Sequence, residues 1–244
     1  MTRALTQPLP GTVVDPRYPD EDGRPMGDTD HHSYALTTLR GCMEDFFADR
    51  ADVYIGMNLI FYYEEGNPKA RRDPDILVAT GVVGKHRRRS FRLWEEKVLP
   101  RTLMEVVSRK TFRVDLGVKR ELYERLRIPE YFLFDPEGRY MNRPLRGFRL
   151  RGGKYVELKP AADGSLVSKE LGLRLLPEGE LLRLIDLRTG QAVLTRLERA
   201  EKESQRAEAE RQNAEAERRR AETLAAEVRR LRQMLNRRGS RNGH

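Results

Sequence analysis

Apolar and polar positions alternate in several distinct ways along the chain, and each way predicts a different element. Asp30 to Arg50 has a helical period, with Leu36, Leu39, Met43, Phe46 and Phe47 on one face and Asp30 or Ser33 as the cap. Asp52 to Tyr63 is strand-like, dense in Val, Ile, Leu, Phe and Tyr. Glu64-Glu65-Gly66-Asn67-Pro68 then supplies turn residues. Two further short apolar runs, Asp75 to Ala79 and Arg101 to Ser108, read as strands. From Thr111 or Arg113 to Arg127 the period is helical again, and Val114, Val118, Leu122 and Leu126 are its expected buried side. Ile128-Pro129 ends that helix, and Glu130 to Phe134 is the next strand.

Arg139 to Leu194 reads as a meander of shorter strands. The candidates are Arg139 to Asn142, Gly147 to Arg151, Tyr155 to Leu158, Gly172 to Leu175 and Leu181 to Leu187. After Leu197 the character changes. Glu, Arg and Ala dominate, no Gly or Pro interrupts as far as Arg238, and Glu-to-Arg pairs such as Glu215 and Arg219 favour a long helix. Its best pairing seam is Leu224, Val228, Leu231 and Leu235. The expected organisation is an N-terminal arm over 1–29, rich in proline and either flexible or laid along the surface. A domain over 30–195, a charged helix or coiled coil over 196–238 and a disordered tail over 239–244 follow it.

Two carboxylates interrupt the apolar strand runs. Asp75 and Glu105 each sit where a charge is unfavourable without a partner. Each either pairs locally or converges with the other on a hard divalent ion, which takes carboxylate, carbonyl and phosphate oxygens. The carbonyl beside Glu105, that of Val106, is a third oxygen in that second reading. Asp115, Lys119 and Tyr123 are spaced i, i+4, i+8 and share one helix face. Lys119 is either half of a surface pair with Asp115 or a cation that offsets charge on a phosphate.

Charge adds a partner class. The 244 residues carry a net charge of +9, which favours polyanions, although many arginines fall in the tail. The densest basic run of the globular part is Lys85 to Trp94, with Lys85, Arg87, Arg88, Arg89 and Arg92 as candidate phosphate contacts and Phe91 or Trp94 to stack or pack. The competing reading is a solvated loop with Trp94 folded back on the core. Cys42 is the single cysteine, so neither an internal disulfide nor a cysteine-rich zinc site is available. No stretch approaches the roughly 18 apolar residues of a membrane span, Met1 to Pro25 lacks a signal-peptide run, and a cytoplasmic location is expected. No glycine-rich nucleotide loop supports a kinase or NTPase.

The ordered set Pro74-Asp75-Ile76, Glu105-Val106-Val107-Ser108, Asp115 with Lys119 and Tyr123, and Glu130 to Pro136 resembles the Uma2 family of restriction endonucleases, in the PD-(D/E)XK nuclease superfamily. The likeness extends over roughly Asp30 to Thr195. It implies an α/β fold with a restriction-endonuclease-like core, a mixed central sheet flanked by helices, and here a long C-terminal helix. It implies Asp75 and Glu105 as metal-binding carboxylates for Mg2+ or Mn2+. The fold's usual lysine would fall on Val107, and Lys119 looks like its replacement, with Lys110 a rival. Arg109 stands where the family usually has proline and adds charge near the site, so Arg109 and Lys110 join the candidate nucleic-acid contacts. Glu44 on the first helix is a candidate extra acid. The implied activity is metal-dependent hydrolysis of phosphodiester bonds in double-stranded DNA; separately, the seam of the C-terminal helix leads to the expectation of a homodimer, which would place two sites on a duplex. The alternative is a non-catalytic nucleic-acid-binding or assembly protein that keeps the nuclease fold.

Overall fold

The computed structural model describes residues 8–12, 15–19 and 29–239, without the side chains of Gln233 and of 235–239. It divides into two compact units, Met1–Thr195 and Arg196–His244. Most of the expected arm and the tail after Gly239 lie outside the described residues, as does the side chain of the pairing position Leu235.

The first unit is built on a six-stranded mixed sheet. Its strands are β1 (Val53–Met57), β4 (Ile76–Thr80), β6 (Pro100–Val106), β7 (Glu130–Phe134), β8 (Leu145–Arg151) and β9 (Lys154–Glu157), in that spatial order. Only β6 and β7 run parallel; the remaining neighbours are antiparallel. Two three-stranded sheets complete the unit. One orders β3 (Arg71–Arg72), β2 (Phe61–Tyr62) and β5 (Phe91–Arg92); the other orders β10 (Leu166–Ser168), β11 (Leu173–Glu178) and β12 (Leu181–Asp186).

The central strands are apolar on both faces because both faces are covered. Ile76, Val78, Met104, Val106, Phe132 and Phe134 point to one side, where helix α1 (Asp30–Phe46) and the β10–β12 sheet pack. Leu77, Ala79, Leu103, Val107, Tyr131 and Leu133 point to the other and meet Leu122 and Tyr123. Side-chain period two therefore assigns Glu105 to the second face, between Leu103 and Val107.

Several expectations are corrected. The cap of α1 is Thr29, whose side chain accepts from the His32 N–H at 3.3 Å, rather than Asp30 or Ser33. The run from Asp52 to Tyr63 is two strands in different sheets, separated where Asn58 takes φ +49°. Arg139 to Asn142 forms no strand. It is a turn tied down by the Asp135 carboxylate, which accepts the Tyr140 and Met141 N–H groups at 2.6 and 3.0 Å. The sequence reading missed the short strands β3, β5 and β10.

The helix expected from Thr111 to Arg127 is three pieces: α3 (Phe112–Val114), a π turn (Asp115–Lys119) and α4 (Arg120–Arg125). Val114 and Val118 are not buried; they are 45% and 54% exposed. The i→i+5 bonding of a π turn widens the helix and departs from the 3.6 period on which that expectation stood. Asp115 and Lys119 are turned inward instead.

Near the start of the chain, Tyr18 is buried against Ile60, Tyr62 and Trp94. The Gly11 N–H donates to Glu95 at 2.8 Å, and its carbonyl accepts from the Arg89 N–H at 2.8 Å. The stretches 8–12 and 15–19 thus lie along the domain surface. Between α1 and the C-terminal helix, α2 (Leu93–Glu96) adds one short turn after β5. The second unit is a single helix, α5 (Arg196–Gly239), lined by i,i+4 pairs such as Arg206–Glu210, Arg218–Glu222 and Glu215–Arg219.

Candidate active site

Adjacent strands bring two carboxyl groups together. Asp75 immediately precedes β4, and Glu105 is the penultimate residue of β6. The antiparallel register sets Ile76 opposite Met104, so the end of one strand lies beside the start of the other. The Asp75 N–H lies 3.3 Å from Glu105 Oε2, and Asp75 Oδ2 accepts from the Val106 N–H at 2.7 Å. Val107 donates to the opposite neighbour, the Phe134 carbonyl on β7. Val106 therefore presents its N–H to the β4 side, and in an extended strand the carbonyl of the same residue faces the same edge.

The helical segment after β6 contributes the cation. Lys119 Nζ lies 2.9 Å from Glu105 Oε2 and 3.1 Å from Asp115 Oδ1. The Tyr123 hydroxyl lies 3.4 Å from Glu105 Oε1. Tyr131 donates to the Asp115 carbonyl at 3.0 Å, fixing the π turn against β7. Glu105 and Asp115 are each only 1% exposed.

Three acids around one lysine in this setting perturb one another. Burial pushes the Glu105 carboxyl well above the usual carboxylate range, and the neighbouring Asp115 and Asp75 charges push the same way against Lys119. Burial also raises Asp115, again opposed by Lys119. For Lys119 burial disfavours the charged form, yet Glu105 and Asp115 hold the ammonium well above the ordinary lysine value. Burial raises the Tyr123 hydroxyl well above its usual range, and it stays protonated. Burial thus favours the protonated carboxyl at Glu105 and Asp115, while the two acids favour the charged form of Lys119.

Of the residues singled out in the sequence, Asp75, Glu105, Val106, Asp115, Lys119 and Tyr123 meet here. Lys110 and Arg109 are exposed on the loop after β6, and it is Lys119 that reaches Glu105. Val107 packs in the apolar cluster with Leu122 and Tyr123. Glu44 pairs with Arg40 at 2.9 Å and lines a different cavity, of about 590 Å³. The first helix sends His32 instead: its Nε2 lies 3.5 Å from Asp75 Oδ2. Twelve residues, about 18 Å of helix, separate the two positions. The sequence signal for His32 is a pair of histidines, His31 and His32, at the start of the first helix.

The basic run behaves differently from the site. Arg88 and Glu96 form a pair whose side chains are fully buried, and Arg92 pairs with Glu95 at 2.9 Å. Lys85 donates to the Phe47 and Ala48 carbonyls at the end of α1. Phe91 is fully buried, and Trp94 packs on Tyr18. Among the described residues, no group of three His, Cys, Asp or Glu side chains is arranged to hold a metal ion. No described helix is long and apolar enough to cross a membrane.

A mixed α/β sheet with paired acids at the ends of two central strands, and a lysine from the helical segment that follows, is the frame of a nuclease-like protein. The family model of Uma2, described as "Putative restriction endonuclease", matches residues 15–178, and the chain belongs to that family. Among solved structures, the chain is similar to a "putative nuclease belonging to DUF820" from Anabaena variabilis. That likeness has 14% identity and a TM-score of 0.43, and covers 61% of this chain and 76% of the other. No curated protein matches.

Proposed function

We propose that the chain is a divalent-metal-dependent endonuclease that hydrolyses phosphodiester bonds in DNA. The observation that carries the reading is the convergence of Asp75, Glu105 and Lys119 within hydrogen-bonding reach, on a face reached by a cleft that Lys119 itself lines. The donor chemistry fits Mg2+ or Mn2+: all the available atoms are oxygens, and one or two carboxylates with a carbonyl and water satisfy such an ion. Asp75, Glu105 and the Val106 carbonyl would hold it. When bound, the ion supplies positive charge to the scissile phosphate and acidifies water.

The protein's own residues set the rest. The Val106 N–H and His32 orient Asp75. Tyr123 and Lys119 grip the two oxygens of Glu105. The Lys119 ammonium, whose charged form Glu105 and Asp115 favour, is available to offset negative charge that develops on the phosphate oxygens. Asp115 keeps that ammonium in place at 3.1 Å.

A homodimer paired through α5 belongs to the same reading, since two copies would present two sites to a duplex. Leu224, Val228 and Leu231 are exposed at spacings of four and three on that helix. The second reading is a nucleic-acid-binding protein that keeps the fold without turnover. It draws on the burial of Glu105 and the upward push on its carboxyl, which oppose the anionic form that a metal needs.

The test is a titration of Mg2+ and Mn2+ into the protein with supercoiled and linear DNA, beside Asp75→Ala. Metal-dependent cleavage that disappears in the variant is expected. Salt-sensitive DNA binding with neither cleavage nor metal uptake would establish the second reading instead.

A further inference from the structure

The basic residues nearest the candidate site are not those of the dense basic run. A cleft of about 430 Å³ is lined by Lys69, Arg71, Arg72, Asp73 and Lys119. A second cleft, of about 500 Å³, is lined by Tyr63, Glu64, Asn67, Lys69, Leu122 and Arg125 among others, with Glu64 accepting from the Asn67 side chain at 3.1 Å. Lys69 lines both, so the two clefts are neighbours, one holding Lys119 and the other Arg125 at the end of α4, with the β2–β3 hairpin supplying residues to each.

Four cations line the two clefts: Arg72, Arg71, Lys69 and Arg125. Arg71 reaches the Tyr62 hydroxyl at 3.3 Å, and Arg72 donates to the Arg71 carbonyl at 2.7 Å. Among the described residues, none of the four has a carboxylate within ion-pair distance. Lys69 and Arg125 are exposed, and the two hairpin arginines are half-buried. By contrast, Arg88 and Arg92 are buried against Glu96 and Glu95. Lys85 is bound to carbonyls at the end of α1. A cation neutralised within the fold releases few counterions from a polyanion, whereas a cation without an acid partner keeps that capacity.

We infer that the two clefts together form one track, the seat of the nucleic-acid backbone. Arg72, Arg71, Lys69 and Arg125 bind successive phosphates and lead one strand to Lys119. The Asn67 amide in the lining is engaged by Glu64 and the Lys69 N–H, so the track offers charge to the backbone and its contribution is independent of sequence. Exposed Val114 joins the lining beside Lys119 and gives the sugar face an apolar contact. The inference rests on the phosphodiester-hydrolase reading only for the direction in which the strand is led. Backbone binding by the four cations stands on the cleft and its charges.

The experiment measures binding of a fluorescent duplex by the full chain in Ca2+ over a salt series, with DNA integrity checked on a gel. Four phosphate contacts contribute about −3.6 to the slope of log K against log salt on duplex DNA, at about −0.9 per contact. Changing all four residues to glutamine is expected to remove about that much. Lys69→Gln with Arg125→Gln, both at exposed positions, guards against misfolding and is expected to remove about 1.8.

An unchanged slope in that double variant overturns the track. So does a loss confined to Arg87→Gln with Arg89→Gln, and so does failure of the wild-type chain to bind. If the slope falls as expected but Mg2+ produces no cleavage by the wild-type chain, the track stands and the hydrolase reading fails. Cleavage with an unchanged slope has the opposite meaning.

Discussion

Replacing Lys119 and replacing Glu105 should move stability in opposite directions. Lys119→Met removes the ammonium 2.9 Å from Glu105 and 3.1 Å from Asp115, leaving two buried carboxyl groups without their counter-charge. Removing one partner of a buried ion pair costs about 3–5 kcal/mol. In a chain of this size each kcal/mol is about 2–4 °C, so the melting temperature should fall by about 6–20 °C. Glu105→Gln has the reverse logic. The folded Glu105 carboxyl sits well above its ordinary value of 4.5, so the native state keeps a proton that the unfolded state releases above that pH. Stability from this group is therefore full below about 4.5 and is lost as pH rises through the raised folded value. Glutamine keeps an oxygen for Lys119 and has no proton to lose.

The assay is thermal melting in chelator across pH, from about 5, just above the ordinary carboxylate value, upward to about 9. The Gln variant should melt above the wild type at alkaline pH, with the two converging towards acid. The Met variant should melt below the wild type, with its deficit shrinking in acid as the carboxyls take up protons. Both should lose cleavage. A Glu105→Gln variant that melts as far below the wild type as Lys119→Met at every pH would refute the reasoning. It would mean that Glu105 is held as a structural anion.

Other positions test the frame around the site. Glu130 is fully buried and accepts from Arg149 at 2.8 Å, from Ser168 and from the Lys169 N–H at 3.0 Å, joining β7 to β8 and to the β10 segment. Glu130→Ala should cost about 3–5 kcal/mol by denaturant unfolding, and a loss below about 1 kcal/mol would show that the network is dispensable. Gly147→Ala places a Cβ 2.7 Å from the Phe132 ring and 2.9 Å from a Leu166 methyl carbon. It should destabilise by about 1–3 kcal/mol through overpacking, and unchanged unfolding would show that the ring yields. Leu224→Glu with Val228→Glu should convert a dimer to monomer in sedimentation without changing the melting of the first unit. An unchanged sedimentation coefficient would remove α5 as the pairing element.

The sequence was most readable where one local rule governed. Ile76 to Thr80, Pro100 to Val106 and Glu130 to Phe134 are dense in apolar residues, and they are the central strands, buried almost throughout on both faces. Asp75, Glu105 and the Asp115–Lys119–Tyr123 face were legible because a charge in an apolar strand and an i, i+4, i+8 spacing are each local facts. Legibility failed where distant residues decided. The Asp52–Tyr63 run gives no sign that Asn58 will take a positive φ and send its halves to different sheets. The run from Lys85 to Arg92 looks like a polyanion site until Glu95 and Glu96, just beyond it, turn back on Arg92 and Arg88. The Glu130 network spans 38 residues to Ser168 and leaves no local trace.

The π turn joins these threads. A lysine at Val107 would approach Glu105 from two residues along the same strand face, but Val107 fills the apolar cluster under α4. The cation therefore has to arrive from above, on the helix, with an acid beside it to hold its direction. A regular helix that buried Val114 and Val118 would turn Lys119 away from the sheet; the π turn exposes both valines and buries Asp115 and Lys119 in their place. The exchange of two apolar contacts for a buried ion cluster lowers stability, since such clusters are rarely worth more than the hydrophobic packing they displace. That the exchange occurs at a turn type concentrated at functional sites supports the role proposed for Glu105.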